Sequence, residues 1–127
     1  MNWRTLYFIQ GFATFATFLL ILLNPTAIPN SFGLSVTKEN YAFPFLIGAN
    51  EVALCYLSFA ARAIRETKTI KKISTFFIVF HFTTGAMCLV ALYYGASTKI
   101  LSNVVLRTIM VVAFYYYGIY KIKKDGQ

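Results

Sequence analysis

Glu51, His81 and Arg107 are the side chains of this 127-residue chain with the most chemical potential, because each stands inside a long apolar stretch. An ionisable group in such a setting costs about 3 kcal/mol or more unless it is paired or wetted, so each is a candidate functional residue. Glu51 and His81 belong to proton-exchanging types, and the planar fork of Arg107 matches a carboxylate. Their depths follow from the rise of a helix. Glu51 lies about 12 Å and Arg107 about 13 Å from the same edge of the apolar layer, which puts them level and predicts a Glu–Arg pair. Thr14 sits at a similar depth, and Asn103 is one turn from Arg107 on the same face. His81 lies deeper, about 20 Å from that edge and level with Gln10.

Each apolar stretch carries a polar stripe at helical spacing. Gln10, Thr14 and Thr17 recur at i, i+4, i+7, which is one helix face. Asn50, Glu51, Cys55 and Ser58 give the second stretch a polar side, and His81, Thr84, Gly85 and Cys88 do so for the third. Pointed inward, these stripes make a shared interior of Glu51, Arg107, His81, Asn50, Asn103, Gln10 and Thr14. That interior is expected either to glue the helices together or to hold a small ligand. A single histidine without a second ligand at its level makes a metal site a poor expectation. No complete catalytic or cofactor motif is present, so neither a catalytic residue nor a cofactor is assigned. Cys55 and Cys88 read as small apolar side chains, although their similar depth leaves a disulfide between them open.

The elements that position these groups follow from hydropathy. About 20 mostly apolar residues cross roughly 30 Å of hydrocarbon, and four stretches qualify: residues 3–23, 43–61, 72–94 and 98–120. The first ends at Asn24-Pro25, and the second has Pro44 in its first turn, where a missing N–H costs nothing. The first is longer than a signal core and is not followed by a small-x-small cleavage site, so it reads as a retained helix. The whole chain reads as one all-α domain, an integral membrane four-helix bundle. Composition agrees: 58% of residues are hydrophobic and 13% charged, too few to cover a water-soluble globule.

Charge gives the expected orientation. Arg4, Arg62, Arg65, Lys68, Lys71, Lys72, Lys121, Lys123 and Lys124 fall on one side of the four stretches, and Lys38 and Lys99 on the other. The excess belongs on the cytoplasmic side, so both termini are expected inside (N-in/C-in). Trp3, Tyr7, Tyr115, Tyr116, Tyr117 and Tyr120 would anchor the inner interface, and Tyr41, Tyr93 and Tyr94 the outer one. The basic loop, with Arg62, Arg65, Lys68, Lys71 and Lys72, is expected to extend both flanking helices and contact anionic headgroups of the lipid bilayer. Basic clusters this close to apolar runs argue against nucleic acid as a partner. The one long connection, residues 24–42, contains Pro25, Pro29 and Gly33 and reads as a surface loop or a cap over the bundle.

A first span ending in Asn24-Pro25, a Phe32-Gly33-Leu34 element, Gly48-Ala49-Asn50-Glu51 in the second span and a basic loop opening at Arg62 together resemble DoxX-like proteins. These are small bacterial four-helix membrane proteins, and the resemblance extends to related uncharacterised families likened to the ergosterol-biosynthesis scaffold protein. Those families commonly carry Arg where Asn50 stands. The resemblance implies a bacterial cytoplasmic (inner) membrane location and a small-ligand or accessory role, alone, as a homo-oligomer or within a larger membrane complex.

Three functions are therefore expected, in descending order. The first is a non-enzymatic binder of a lipid or small hydrophobic molecule, or a scaffold subunit. The second is a proton-coupled transporter exchanging at Glu51. The third is a membrane enzyme, for which the cysteine pair or Arg- and Asn-rich motif of known chemistries is missing.

Overall fold

The computed structural model describes residues 1–122. It is helical throughout, with α1 (Trp3–Leu23), the short α2 (Ala27–Ser31), α3 (Ala42–Ala63), α4 (Thr67–Tyr93) and α5 (Leu101–Tyr115). Single 3-10 turns at Lys38–Asn40 and Thr98–Ile100 lead into α3 and α5, and a π-helical turn, Tyr116–Tyr120, follows α5. Four of the helices are long and apolar enough to cross a membrane.

Local chemistry sets the ends. Asn2 caps α1, its side-chain oxygen accepting from Thr5 N–H at 2.9 Å, which satisfies one of the first-turn donors left without a helical partner. α2 and α4 both end in Schellman motifs with glycine in the left-handed region. Gly33 (φ 77°) and Gly95 (φ 93°) donate to Asn30 and Leu92, while Leu34 and Ala96 donate to Pro29 and Ala91. The basic loop breaks only at Ile64, Arg65 and Glu66; α4 begins at Thr67, earlier than position 72, with Glu66 at its N-cap position and the Glu66 carboxylate accepting from the Thr69 hydroxyl one turn on.

The helices form two antiparallel hairpins, α1 with α3 and α4 with α5. In the first, small residues bring the backbones close: a side chain at Gly11 would press on Ser58 and Phe59, and one at Gly48 would come into van der Waals contact with Ile21 and Phe18. The hairpins then meet through aromatic side chains. Tyr7 of α1 packs edge-on against Phe77 of α4 and Phe114 of α5, which stack on each other at 4.8 Å and 8°. All three are fully buried. The Tyr7 hydroxyl shares a 2.8 Å hydrogen bond with Ser74. Tyr7 is therefore a core residue rather than an interfacial anchor, because its position on α1 faces the opposite hairpin.

Opposite ends of the bundle differ in charge. Arg4, Arg62, Arg65, Lys68, Lys71, Lys72 and Lys121 lie at the end where the chain starts, and Lys121 reaches the Met1 carbonyl there. Lys123 and Lys124 lie outside the described residues. Lys38 and Lys99 mark the other end, where the segment after α1 folds over the bundle. Pro29 is buried, and a side chain at Gly33 would overlap Ser97 of the turn between α4 and α5. That segment therefore ties one hairpin to the other, as a cap does.

Candidate functional site

Between the aromatic core and the capped end, polar side chains from three helices form one hydrogen-bonded chain. Gln10 of α1 meets His81 of α4 (Oε1···Nε2, 3.2 Å), and His81 meets Arg107 of α5 (Nδ1···NH1, 2.9 Å). Arg107 Nε donates to Asn103 at 3.3 Å, and the Cys88 thiol donates to the same oxygen at 3.7 Å. Arginine can only donate, so Nδ1 of His81 must offer its lone pair. The proton of the neutral ring then sits on Nε2 and is donated to Gln10. The ring is further fixed by Phe77 and Phe114, stacked at 6.3 and 5.8 Å, and by Phe80 edge-on at 5.2 Å. Phe80 also lies 5.3 Å beneath the Arg107 guanidinium.

Of the residues expected to face inward, Gln10, Thr14, Glu51 and His81 are buried, and Asn103 and Arg107 are half-buried. Asn50 is not part of this interior: it is exposed, about 100° around the helix from Glu51. Thr14 is inside but spent locally, its hydroxyl donating to the carbonyls of Gln10 and Gly11 on its own helix. The expected Glu–Arg pair takes a different form. Glu51 and Arg107 lie within electrostatic reach across the bundle, but the hydrogen bonds of Arg107 go to His81 and Asn103. The reason is pairing. α3 packs on α1 and α5 on α4, so Glu51 and Arg107 belong to different hairpins, while His81 is on the neighbouring helix.

A cleft of about 280 Å³ opens beside this chain. Its walls are apolar, from Ala86, Leu89, Val104 and Val111, and its polar atoms come from His81, Arg107 and Thr108. It lies wholly between α4 and α5, bordered by the exposed Phe82 and Leu89. Gly85 lines it, and even a methyl group there would touch the Arg107 side chain at 3.5 Å. Helical spacing in the sequence marks the polar residues but not this cleft, which depends on which helices pair. Its only sequence signal is the Gly85-Ala86 step beside the histidine stripe.

Both cysteines are free thiols. Among the described residues, no three His, Cys, Asp or Glu side chains are grouped to hold a metal ion. The basic-loop residues Arg62, Arg65, Lys68 and Lys72 are exposed and Lys71 half-buried, apart from this interior. No family model, curated protein or solved structure matches the chain.

Proposed function

We propose that the chain is a membrane protein that binds a small hydrophobic molecule with a polar head in the α4–α5 cleft, without transforming it. The observation that carries this reading is the cleft itself, an apolar slot whose polar atoms come from Arg107, His81 and Thr108. Apolar walls with a few converging polar groups are the usual form of a small-molecule site. At about 280 Å³ the volume suits one chain or one ring system, near the lower end for such sites. Arg107 has five N–H donors, and the protein uses the Nε–H and one from NH1, so donors remain for a carbonyl or carboxylate head.

The setting is a bilayer crossed four times with the basic end inside. Exposed Phe12, Phe43, Phe82 and Val112 are each more than 60% accessible, an outer surface suited to lipid rather than water. The charge asymmetry between the ends supports N-in/C-in, and the DoxX-like resemblance implies the same location. In a chain with both native cysteines replaced by alanine, a cysteine at Ser35 should react with a membrane-impermeant maleimide on intact cells, and one at Thr67 only after permeabilisation. The reverse pattern would invert the topology.

Ala86→Phe tests the site. Ala86 is half-buried in the cleft lining and is not a member of the hydrogen-bonded chain, so a phenyl ring there fills the cleft while leaving those side chains unsubstituted. Native mass spectrometry should find a bound small molecule on the purified wild-type protein, reduced about tenfold in the variant, equivalent to about 1.4 kcal/mol. Equal occupancy in both proteins would remove the cleft from consideration.

A further inference from the structure

A second cleft, of about 250 Å³, lies at the basic end on the other hairpin, lined by Asn2, Arg4, Thr5, Phe8 and Arg62. Arg4 comes from the first turn of α1 and Arg62 from the last turn of α3, so the antiparallel pairing brings two distant cations to one depression. Each guanidinium lies over an aromatic ring: Arg4 over Trp3 at 5.1 Å and Arg62 over Phe8 at 4.9 Å. Stacking occupies the face of a guanidinium and leaves its in-plane N–H fork to donate. Asn2 accepts from Thr5 with its side-chain oxygen, which leaves its amide N–H groups as donors also.

The lining is therefore rich in donors and carries no carboxylate. Glu66, the acidic residue closest in sequence to Arg62, is engaged by Thr69 on α4. Two like charges facing one cavity repel, and an anion between them relieves this. A tetrahedral phosphate presents several acceptor oxygens in different directions, the geometry that two separate arginine forks can grip together.

We propose that Arg4 and Arg62 form a binding site for a phosphate group, with Asn2 as an additional donor. The site is separate from the α4–α5 cleft and does not depend on what that cleft binds. With the basic end at a membrane surface, the phosphate is that of a lipid headgroup; free phosphate offers the same chemistry.

Trp3 is the only tryptophan in the chain and stacks on Arg4, so its emission reports on the site. The detergent-solubilised protein is titrated separately with dioctanoyl phosphatidylglycerol, dioctanoylglycerol and inorganic phosphate. Phosphatidylglycerol should shift the emission saturably and dioctanoylglycerol should not. A matching response to inorganic phosphate at similar concentration assigns the site to a soluble anion, and silence assigns it to the lipid; both support the phosphate site. Arg4→Gln with Arg62→Gln should raise the midpoint about tenfold or more. Lys68→Gln with Lys72→Gln, which removes equal charge from the same end, should leave it nearly unchanged. Arg4→Lys with Arg62→Lys keeps the charge but loses the forks, and should weaken binding even if the glutamine variant does not fold. Equal loss in the lysine-to-glutamine control, an equal response to dioctanoylglycerol, or full binding by the Arg→Lys variant would each overturn the proposal.

Discussion

Arg107→Gln should destabilise the bundle by about 3 kcal/mol, and adding Glu51→Gln should return a substantial part of that loss. The single change removes the donor to His81 Nδ1 and the donor to Asn103. A hydrogen bond from a charged group is worth about 1.5–3 kcal/mol, and a buried acceptor left without a partner adds its desolvation cost. It also removes the positive charge within reach of Glu51, which is 8% exposed. A carboxylate left alone in such surroundings is among the more costly states a bundle can hold. Glu51→Gln removes that charge and with it that part of the penalty, though not the lost bonds of His81 and Asn103. Unfolding in mixed detergent micelles, measured for both single variants and the double, gives the coupling directly. Additive losses would mean that Glu51 and Arg107 do not sense each other. The same Arg107→Gln protein should lose binding of the molecule proposed for the α4–α5 cleft, whereas Glu51→Gln, outside the cleft lining, should keep it.

Much of this arrangement was legible because it depends on spacing along one helix or on depth across several. The four long helices follow from long, mostly apolar runs. The rise per residue placed Gln10 level with His81, which the fold joins at 3.2 Å, and Asn103 one turn from Arg107, which it joins at 3.3 Å. What depth cannot supply is rotation and pairing. Asn50 and Glu51 are adjacent, and only packing decides that Glu51 faces in and Asn50 out. Tyr7 read as an interfacial anchor because it sits near Trp3 and Arg4, yet α1 turns it toward Phe77 and Phe114. Glu51 and Arg107 read as a level pair, but the hairpin pairing directs the arginine to the histidine beside it. Neither cleft is encoded in hydropathy, for the same reason: each is formed by two helices whose adjacency depends on packing.

Gly118→Ala should cost about 2–3 kcal/mol, and Ser74→Gly in the same chain should recover about 1 kcal/mol of it. Gly118 lies in the π-helical turn after α5, buried where that turn crosses α4. A methyl group there would overlap the Ser74 hydroxyl and stand 2.7 Å from its Cβ. Both atoms belong to a side chain held close to the backbone of α4, with no flexible end to swing away, so the helices must separate. Separation would pull Ser74 from Tyr7, whose hydroxyl holds α1 to α4 at 2.8 Å, and would open the stacked Phe77–Phe114 pair. Removing the Ser74 side chain makes room for the methyl group. Alone it should cost about 1–2 kcal/mol, from a glycine in a helix and one lost hydrogen bond. The double variant should therefore be more stable than Gly118→Ala by itself, a reversal that only direct contact between the two positions produces. If the two losses simply add, the helices do not approach as closely at Gly118 as the fold requires. Because this crossing lies one turn beyond Phe114, which stacks on His81, Gly118→Ala should also loosen the ring that Arg107 and Gln10 hold, and so weaken retention in the cleft without altering any residue that lines it.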